Sequence, residues 1–194
     1  MSMAFDALSD VSDEALLVLY GNGDRAAARS LTLRFAPLAF RVALRMLGDR
    51  AEAEDLAQEA MLRLWKIAPD WRNGEAKVST WLYRVVSNLA TDRLRKRRGV
   101  GLDEAPEIED GRASVLDEMI ETDRAAALQA ALQALPERQR QAVILRHIEG
   151  MSNPEIAEAM EIGVEAVESL TARGKRGLAK LLAGQREELG FGDD

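Results

Sequence analysis

Five of the six residues from Arg93 to Arg98 are basic, in a chain that carries 33 Asp and Glu against 26 Lys and Arg. Arg93, Arg95, Lys96, Arg97 and Arg98 close a segment, "STWLYRVVSNLATDRLRKRRG", whose spacing predicts a helix. Cations at a helix C-terminus complement its dipole for a few tenths of a kcal/mol each, and one or two satisfy that need. The surplus points to phosphate contact, each cation steepening the salt dependence by close to one unit. On the same helix Trp81, Leu82, Val85, Val86 and Leu89 form an inward stripe, leaving Arg84, Ser87, Asn88, Thr91 and Asp92 opposite. Asn88 can pair bidentately with adenine or hold an unstacked base; a plain surface asparagine is the alternative. Trp71 and Trp81 flank the preceding loop, where they could stack on flipped bases, although Trp81 also suits a core.

A second set of candidates lies downstream. Ser152 and Glu155 form an S-x-x-E capping box with Pro154 in the first turn. Ser152–Met160, a turn, and Val164–Leu182 then have helix-turn-helix spacing. Ile156, Ala157 and Met160 face inward on the first helix, and Val164, Val167, Leu170 or Thr171, Gly174 and Leu178 on the second. Outward remain Glu168, Ser169, Ala172, Arg173 and Arg176, a single stripe suited to a major groove. From the pattern alone, an ordinary helical hairpin with a solvated face stays open.

The elements that must position these residues are helical. Aromatics are only 5% of the chain and hydrophobic residues 47%, and Ala, Leu and Glu abound, which favours helices over strands. Ser12 is placed to cap a short helix, "DEALLVLYG", and a longer one is expected over 24–47 with Leu31, Phe35, Leu38, Val42 and Met46 on one stripe. Pro37 in its middle marks a kink or break. "AEAEDLAQEAMLRLWKI" places Leu56, Ala57, Ala60, Met61, Leu64 and Trp65 on one face. After "APDWRNGEAK", read as a loop, Ser79 or Thr80 is expected to cap the arginine-bearing helix. Helices over 116–134 and 137–149 meet at a sharp Leu135-Pro136 joint.

Charge is organised by region. Residues 99–123 hold nine acids and one base, so this segment accounts for more than the whole net charge of −7. Its first part, "GVGLDEAPEIEDGRA", has no periodicity and reads as a linker. The expected organisation is all-α: a helical bundle over 12–98, a flexible acidic linker over 99–115 and a helix-turn-helix domain over 116–184. The chain has no cysteine and a single histidine, His147, which speaks against thiolate or histidine metal centres and catalytic triads. No cofactor and no enzymatic activity are expected. Without an apolar run of membrane-span length or a signal-peptide start, a cytoplasmic protein is the default.

Three blocks, "AEAEDLAQEAMLRLWK", "STWLYRVVSNLATDRLRKRRG" and "LPERQRQAVILRHIEGMSNPEIAEAM", in this order and spacing, resemble bacterial sigma factors of the extracytoplasmic-function (ECF) class, which contain only sigma domains two and four. The likeness runs from about Leu16 to Leu182, the linker excepted. It implies a dissociable promoter-recognition subunit of RNA polymerase. Asp55, Gln58, Glu59 and Arg63 would then dock on the coiled coil of the polymerase clamp. Arg84, Asn88 and the arginine run would meet and melt the −10 element, and the helix-turn-helix would read the −35 element. The remaining implied partners are the polymerase flap region, promoter DNA and an anti-sigma factor, with no membrane insertion.

Two departures stand out. Glu161 occupies the turn position where relatives usually have Gly, so a left-handed residue there costs about 1 kcal/mol or shifts the turn. Glu168 and Leu170 stand where many relatives carry Lys or Arg. The competing readings are a conventional helix-turn-helix regulator, for which no dimerisation helix is visible, and a helical adaptor that binds protein only. The linker acids could also mimic nucleic acid in the polymerase channel, against a plain spacer.

Overall fold

The computed structural model describes residues 8, 10–72, 77–100 and 117–188, and every regular element among them is helical. α1 (Asp13–Gly21) starts where the Ser12 hydroxyl accepts the Ala15 N–H. Asp24 caps α2 (Arg25–Leu47) by accepting the N–H groups of Ala26 and Ala27. Asp49 caps α3 (Arg50–Ile67) through Glu52 N. A short 3-10 turn, Ala68–Asp70, leads towards α4 (Val78–Val100). Short oxygen-bearing side chains thus satisfy the orphan amides of three consecutive helices.

α2 is the axis of this first module and packs against α1, α3 and α4. Leu31, Phe35, Val42 and Met46 of its expected stripe are buried, with Leu38 half-buried. Pro37 does not break it: the helix is continuous to Leu47. Pro37 and Leu33 are exposed, so the Leu33 carbonyl that loses its amide partner is open to water. Gly48 ends the helix in the left-handed conformation at φ 73, donating to Leu44 O.

Three expectations for α4 are corrected. Its first hydrogen bond runs from Trp81 N to Lys77 O, so neither Ser79 nor Thr80 caps it, and Thr80 is buried. Ser87, expected on the outer strip, is fully buried with its hydroxyl unpartnered. The helix also continues through Gly99 and Val100, where the linker was expected to begin. The rest of the expected linker lies outside the described residues.

The second module comprises α5 (Asp117–Ala134), α6 (Glu137–Val143), α7 (Asn153–Met160) and α8 (Val164–Glu188). The joint between α5 and α6 falls at Leu135-Pro136 as expected. α6 continues as a π-helical turn, Ile144–Ile148, closed by Glu149 N on Ile144 O, where an unbroken α-helix was expected. α7 carries the full capping box: Glu155 N donates to Ser152 Oγ, and Ser152 N donates to the Glu155 carboxylate. Ile156, Met160 and Val167 are buried, but Val164 is 40% exposed rather than inward. Glu161 takes the strained option, left-handed at φ 53, and is the one non-Gly residue with positive φ among the described residues.

The modules pack together. α7 lies on α4, α5 lies on α2, and one contiguous apolar cluster joins Leu31, Leu56 and Leu82 with Leu132, Ile144 and Ile156. Gln129 Nε2 donates to Leu44 O, Gln133 Nε2 to Arg45 O and Arg140 Nη1 to Met46 O. The second module therefore supplies the donors that the last turn of α2 lacks.

Candidate nucleic-acid and protein interfaces

Each helix leaves one face uncovered, and the three sets of sequence candidates lie on three such faces. On α3, Asp55, Gln58 and Arg63 are exposed, while Glu59 is half-exposed, pairing with Arg63 at 2.7 Å and facing Arg93 at 3.6 Å. Between α2 and α3 runs an apolar groove of about 580 Å³, lined by Phe40, Ala57, Met61, Leu62 and Trp65 with Gln58 at its edge. The Arg50 guanidinium sits 5.5 Å above the Phe40 ring. Leu62 is 66% exposed, and the sequence reading missed it; the available signal was an apolar residue three and four positions after Glu59 and Gln58, on the polar face of the helix.

On α4 the five cations divide. Arg93 and Arg97 fold back onto α3: Arg93 donates to Glu52 O, and Arg97 pairs with Glu52 at 2.6 Å and Asp49 at 3.9 Å. Both are about three-quarters buried, so they tie the end of α4 to the start of α3. Arg95 and Lys96 point outward, and Arg98 pairs with Glu137 of α6. Asn88 is exposed and Arg84 half-exposed on the neighbouring strip. Trp71 and Trp81 meet edge to face at 6.1 Å, and the buried Trp71 Nε1 has no partner.

On α8, Glu168, Ala172, Arg173 and Arg176 are exposed, with Ser169 half-buried beside them. Asn153 Nδ2 donates weakly to Glu168 from α7. Gly174 lets α8 cross α6: a Cβ there would lie 2.5 Å from Val143 Cγ2 and 3.0 Å from Gln139 O.

Residues 31–100 match the Sigma-70 region 2 family and residues 125–178 the Sigma-70 region 4 family. The chain is 35% identical to the ECF RNA polymerase sigma factor SigE of Mycolicibacterium smegmatis, over 88% of this chain and 68% of SigE. It is 30% identical to the ECF sigma factor SigW of Bacillus subtilis, over 82% of this chain and 91% of SigW. The chain belongs to the ECF RNA polymerase sigma factors. It is thus a transcription initiation factor whose first and second modules are sigma regions two and four. Among solved structures, CnrH in complex with the cytosolic domain of CnrY is similar at TM-score 0.66 and 25% identity, covering 89% of this sigma factor and 97% of that chain. The sigma factor RpoE of Bartonella quintana, solved with the anti-sigma factor NepR, shares the fold at TM-score 0.66 and 24% identity, covering 80% and 96%.

Electrostatics at the seam between the regions is pronounced. The Glu149 carboxylate receives Arg41 Nε at 2.7 Å, Arg41 Nη2 at 2.6 Å and the Tyr83 hydroxyl at 3.0 Å. Burial, then the Glu149 charge, pushes the Tyr83 hydroxyl well above its ordinary pKa. Lys77 Nζ meets Glu155 at 2.7 Å, and with the Ser152 donors this holds the Glu155 carboxyl down to about 2. A carboxyl lowered in the folded state stabilises it fully above the ordinary value of 4.5, and the contribution fades as pH falls towards about 2. NMR titration of Glu155 is expected to place its midpoint near 2. In Lys77→Ala the midpoint should rise only part of the way to 4.5, because the Ser152 N–H and hydroxyl still donate. An unmoved midpoint would mean that the lysine does not hold the carboxylate.

Proposed function

We propose that this sigma factor docks on core polymerase through the α3 face, engages the −10 element with α4 and reads the −35 element with α8. The observation that carries the reading is the coincidence of an open apolar groove with the polar docking face on one helix. Asp55, Gln58, Glu59 and Arg63 set the electrostatic register, and Leu62 with the groove beside it, lined by Phe40 and Trp65, supplies apolar area at the centre of a polar rim. On α4, Asn88 and Arg84 face the melted strand while Arg95, Lys96 and Arg98 grip the backbone; Arg93 and Arg97 act by fixing the angle of α4 against α3. On α8, Arg173 and Glu168 contact base edges, and Ser169, Ala172 and Arg176 set the fit. The likeness to CnrH, solved with CnrY, and to RpoE, solved with the anti-sigma factor NepR, supports control by an anti-sigma factor.

The test is initiation by purified core polymerase plus this protein on a randomised promoter library, with transcript 5′ ends sequenced. Start sites that depend on the protein and lie downstream of two shared motifs are expected. Arg173→Ala and Glu168→Ala should alter the upstream motif and Asn88→Ala the downstream one. Leu62→Asp is expected to weaken co-elution with core polymerase by about 30-fold, as for loss of roughly 2 kcal/mol at a central apolar anchor. Unchanged co-elution would remove the groove from the docking surface.

A further inference from the structure

Four ion pairs cross between region two and region four among the described residues, and all run the same way. Region two always supplies the cation (Arg41, Lys77, Arg84, Arg98) and region four the carboxylate (Glu149, Glu155, Glu161, Glu137). Arg84 and Arg98 are promoter-facing candidates already. Arg41, in the middle of α2, and Lys77, just ahead of α4, have no role in the surfaces described above.

The best-formed of these sites is the one around Glu149. A guanidinium fork and a phenolic hydroxyl from two helices converge on one anion, whose side chain is 1% exposed. That donor set suits a phosphate as well as a carboxylate, because the fork matches two oxygens of either. Arg41 and Lys77 keep 48% and 69% of their side-chain surface exposed even when paired. They stand at the rim of the seam rather than inside it, where a longer anion can reach them. Arg84, on the promoter-facing strip, itself meets Glu161 of region four at 3.8 Å, so the seam reaches the edge of that strip.

We infer that Arg41, Tyr83 and Lys77 form a phosphodiester-binding row that extends the DNA surface of α4, with Glu149 and Glu155 of region four standing in for DNA phosphates while the two regions are closed on each other. The inference rests on the reading of α4 as the −10 helix. Its consequence is that the closed form competes with DNA for one set of cations. A nucleic acid opens the seam only by the difference between its own contacts and those carboxylate contacts. If the closed form makes up about nine-tenths of the population, apparent affinity is reduced about tenfold.

The full-length chain is tested by fluorescence anisotropy with a labelled single-stranded DNA of mixed sequence, titrated at several salt concentrations. Glu149→Gln/Glu155→Gln is expected to bind about tenfold more tightly than the parent. In that background, Arg41→Gln and Lys77→Gln should each reduce the slope of log affinity against log salt by about 0.7, the value for one phosphate on a single strand. Arg84→Gln and Arg98→Gln in the same background are the reference. If those two lower the slope and the Arg41 and Lys77 variants do not, the row is overturned and the −10 face stands. If none of the four changes the slope, the reading of α4 itself fails and takes the row with it. If the double Glu variant binds no more tightly, the carboxylates do not compete with DNA. An acidic protein segment as the true occupant would appear as an unchanged DNA slope. Because Lys77 and Glu155 are surface groups, Lys77→Gln and Glu155→Gln measured singly keep the test sound if the Glu149 variant folds poorly.

Discussion

Gly174→Val is expected to lower the stability of region four by about 3 kcal/mol, the upper part of the usual range for forcing bulk into a packed contact. The geometry leaves the new side chain no cheap exit. A Cβ at Gly174 would stand 2.5 Å from Val143 Cγ2 and 3.0 Å from the carbonyl of Gln139. Val143 is itself buried and β-branched, so within a helix its χ1 has one good setting. The Gln139 carbonyl is backbone and moves only with α6. Removing a helical glycine returns at most about 1 kcal/mol, too little to offset the separation of two helices. For a module of this size such a loss lowers the melting temperature by about 10–20 °C. Calorimetry on the full chain should show that shift, and initiation from promoters that need the upstream element should fail at correspondingly lower temperature. Gly163→Ala is the control: nothing lies within 4 Å of a Cβ there, and its φ is not in the left-handed region. A Gly174→Val protein that melts like its parent would mean that α8 does not cross α6 so closely.

The expected Gly174 contact illustrates what the sequence could and could not reveal. Local chemistry was legible: Ser12, Ser152 with Glu155 and the Leu135-Pro136 joint each act within a few residues, so their spacing is their mechanism. The α8 stripe was legible for the same reason, because one helix wheel decides which side chains share a face. For Glu161 the resemblance leaves two outcomes, a strained or a shifted turn, and the structure has the strained one. By contrast, Arg93 and Arg97 look identical to Arg95 and Lys96 in a string of basic residues. Only the position of α3 sorts them into two that tie helices together and two that face solvent. Ser87 went astray similarly, because its burial depends on what packs over α4 rather than on its own helix. For Pro37 the sequence shows the hydrogen bond it deletes, but not that the orphaned carbonyl is open to water. The pairing of Arg41 with Glu149 spans 108 residues; no periodicity encodes a contact of that separation.

Arg140→Met carries the other large expected effect, a loss of about 3 kcal/mol with the cost concentrated at the seam between the regions. Arg140 is 7% exposed, and burial pushes its guanidinium pKa below the ordinary value, although such a group stays protonated. Its Nη donors are spent on oxygens at two helix ends, while Nε is buried without a partner. Nη1 reaches Met46 O at the end of α2 at 2.6 Å and Gln133 Oε1 at 2.7 Å. Nη2 reaches Gln133 O at 2.8 Å and Leu135 O at 3.3 Å, where α5 stops. Helix C-termini carry partial negative charge, so one cation here serves two dipoles as well as their orphan carbonyls. Methionine fills comparable space, which separates the loss of donors from the loss of volume. It strands the Gln133 and Leu135 oxygens and leaves Met46 O only the weak donor Gln133 Nε2 at 3.4 Å, at about 1 kcal/mol for each lost bond. Lysine keeps the charge but offers a compact point in place of a planar fork, so Arg140→Lys should recover roughly half of the loss. Urea unfolding of the three proteins decides the energetics, with unchanged m-values expected if unfolding stays two-state. Small-angle scattering adds the spatial readout: if Arg140 joins the regions, the Met variant becomes more extended before either region melts. Equal stability and equal dimensions in the Met variant would show that water satisfies those carbonyls as well as the arginine does. The closed arrangement would then rest on the apolar contacts of α4 with α7 and of α2 with α5, on the Gln129 and Gln133 bonds and on the four ion pairs.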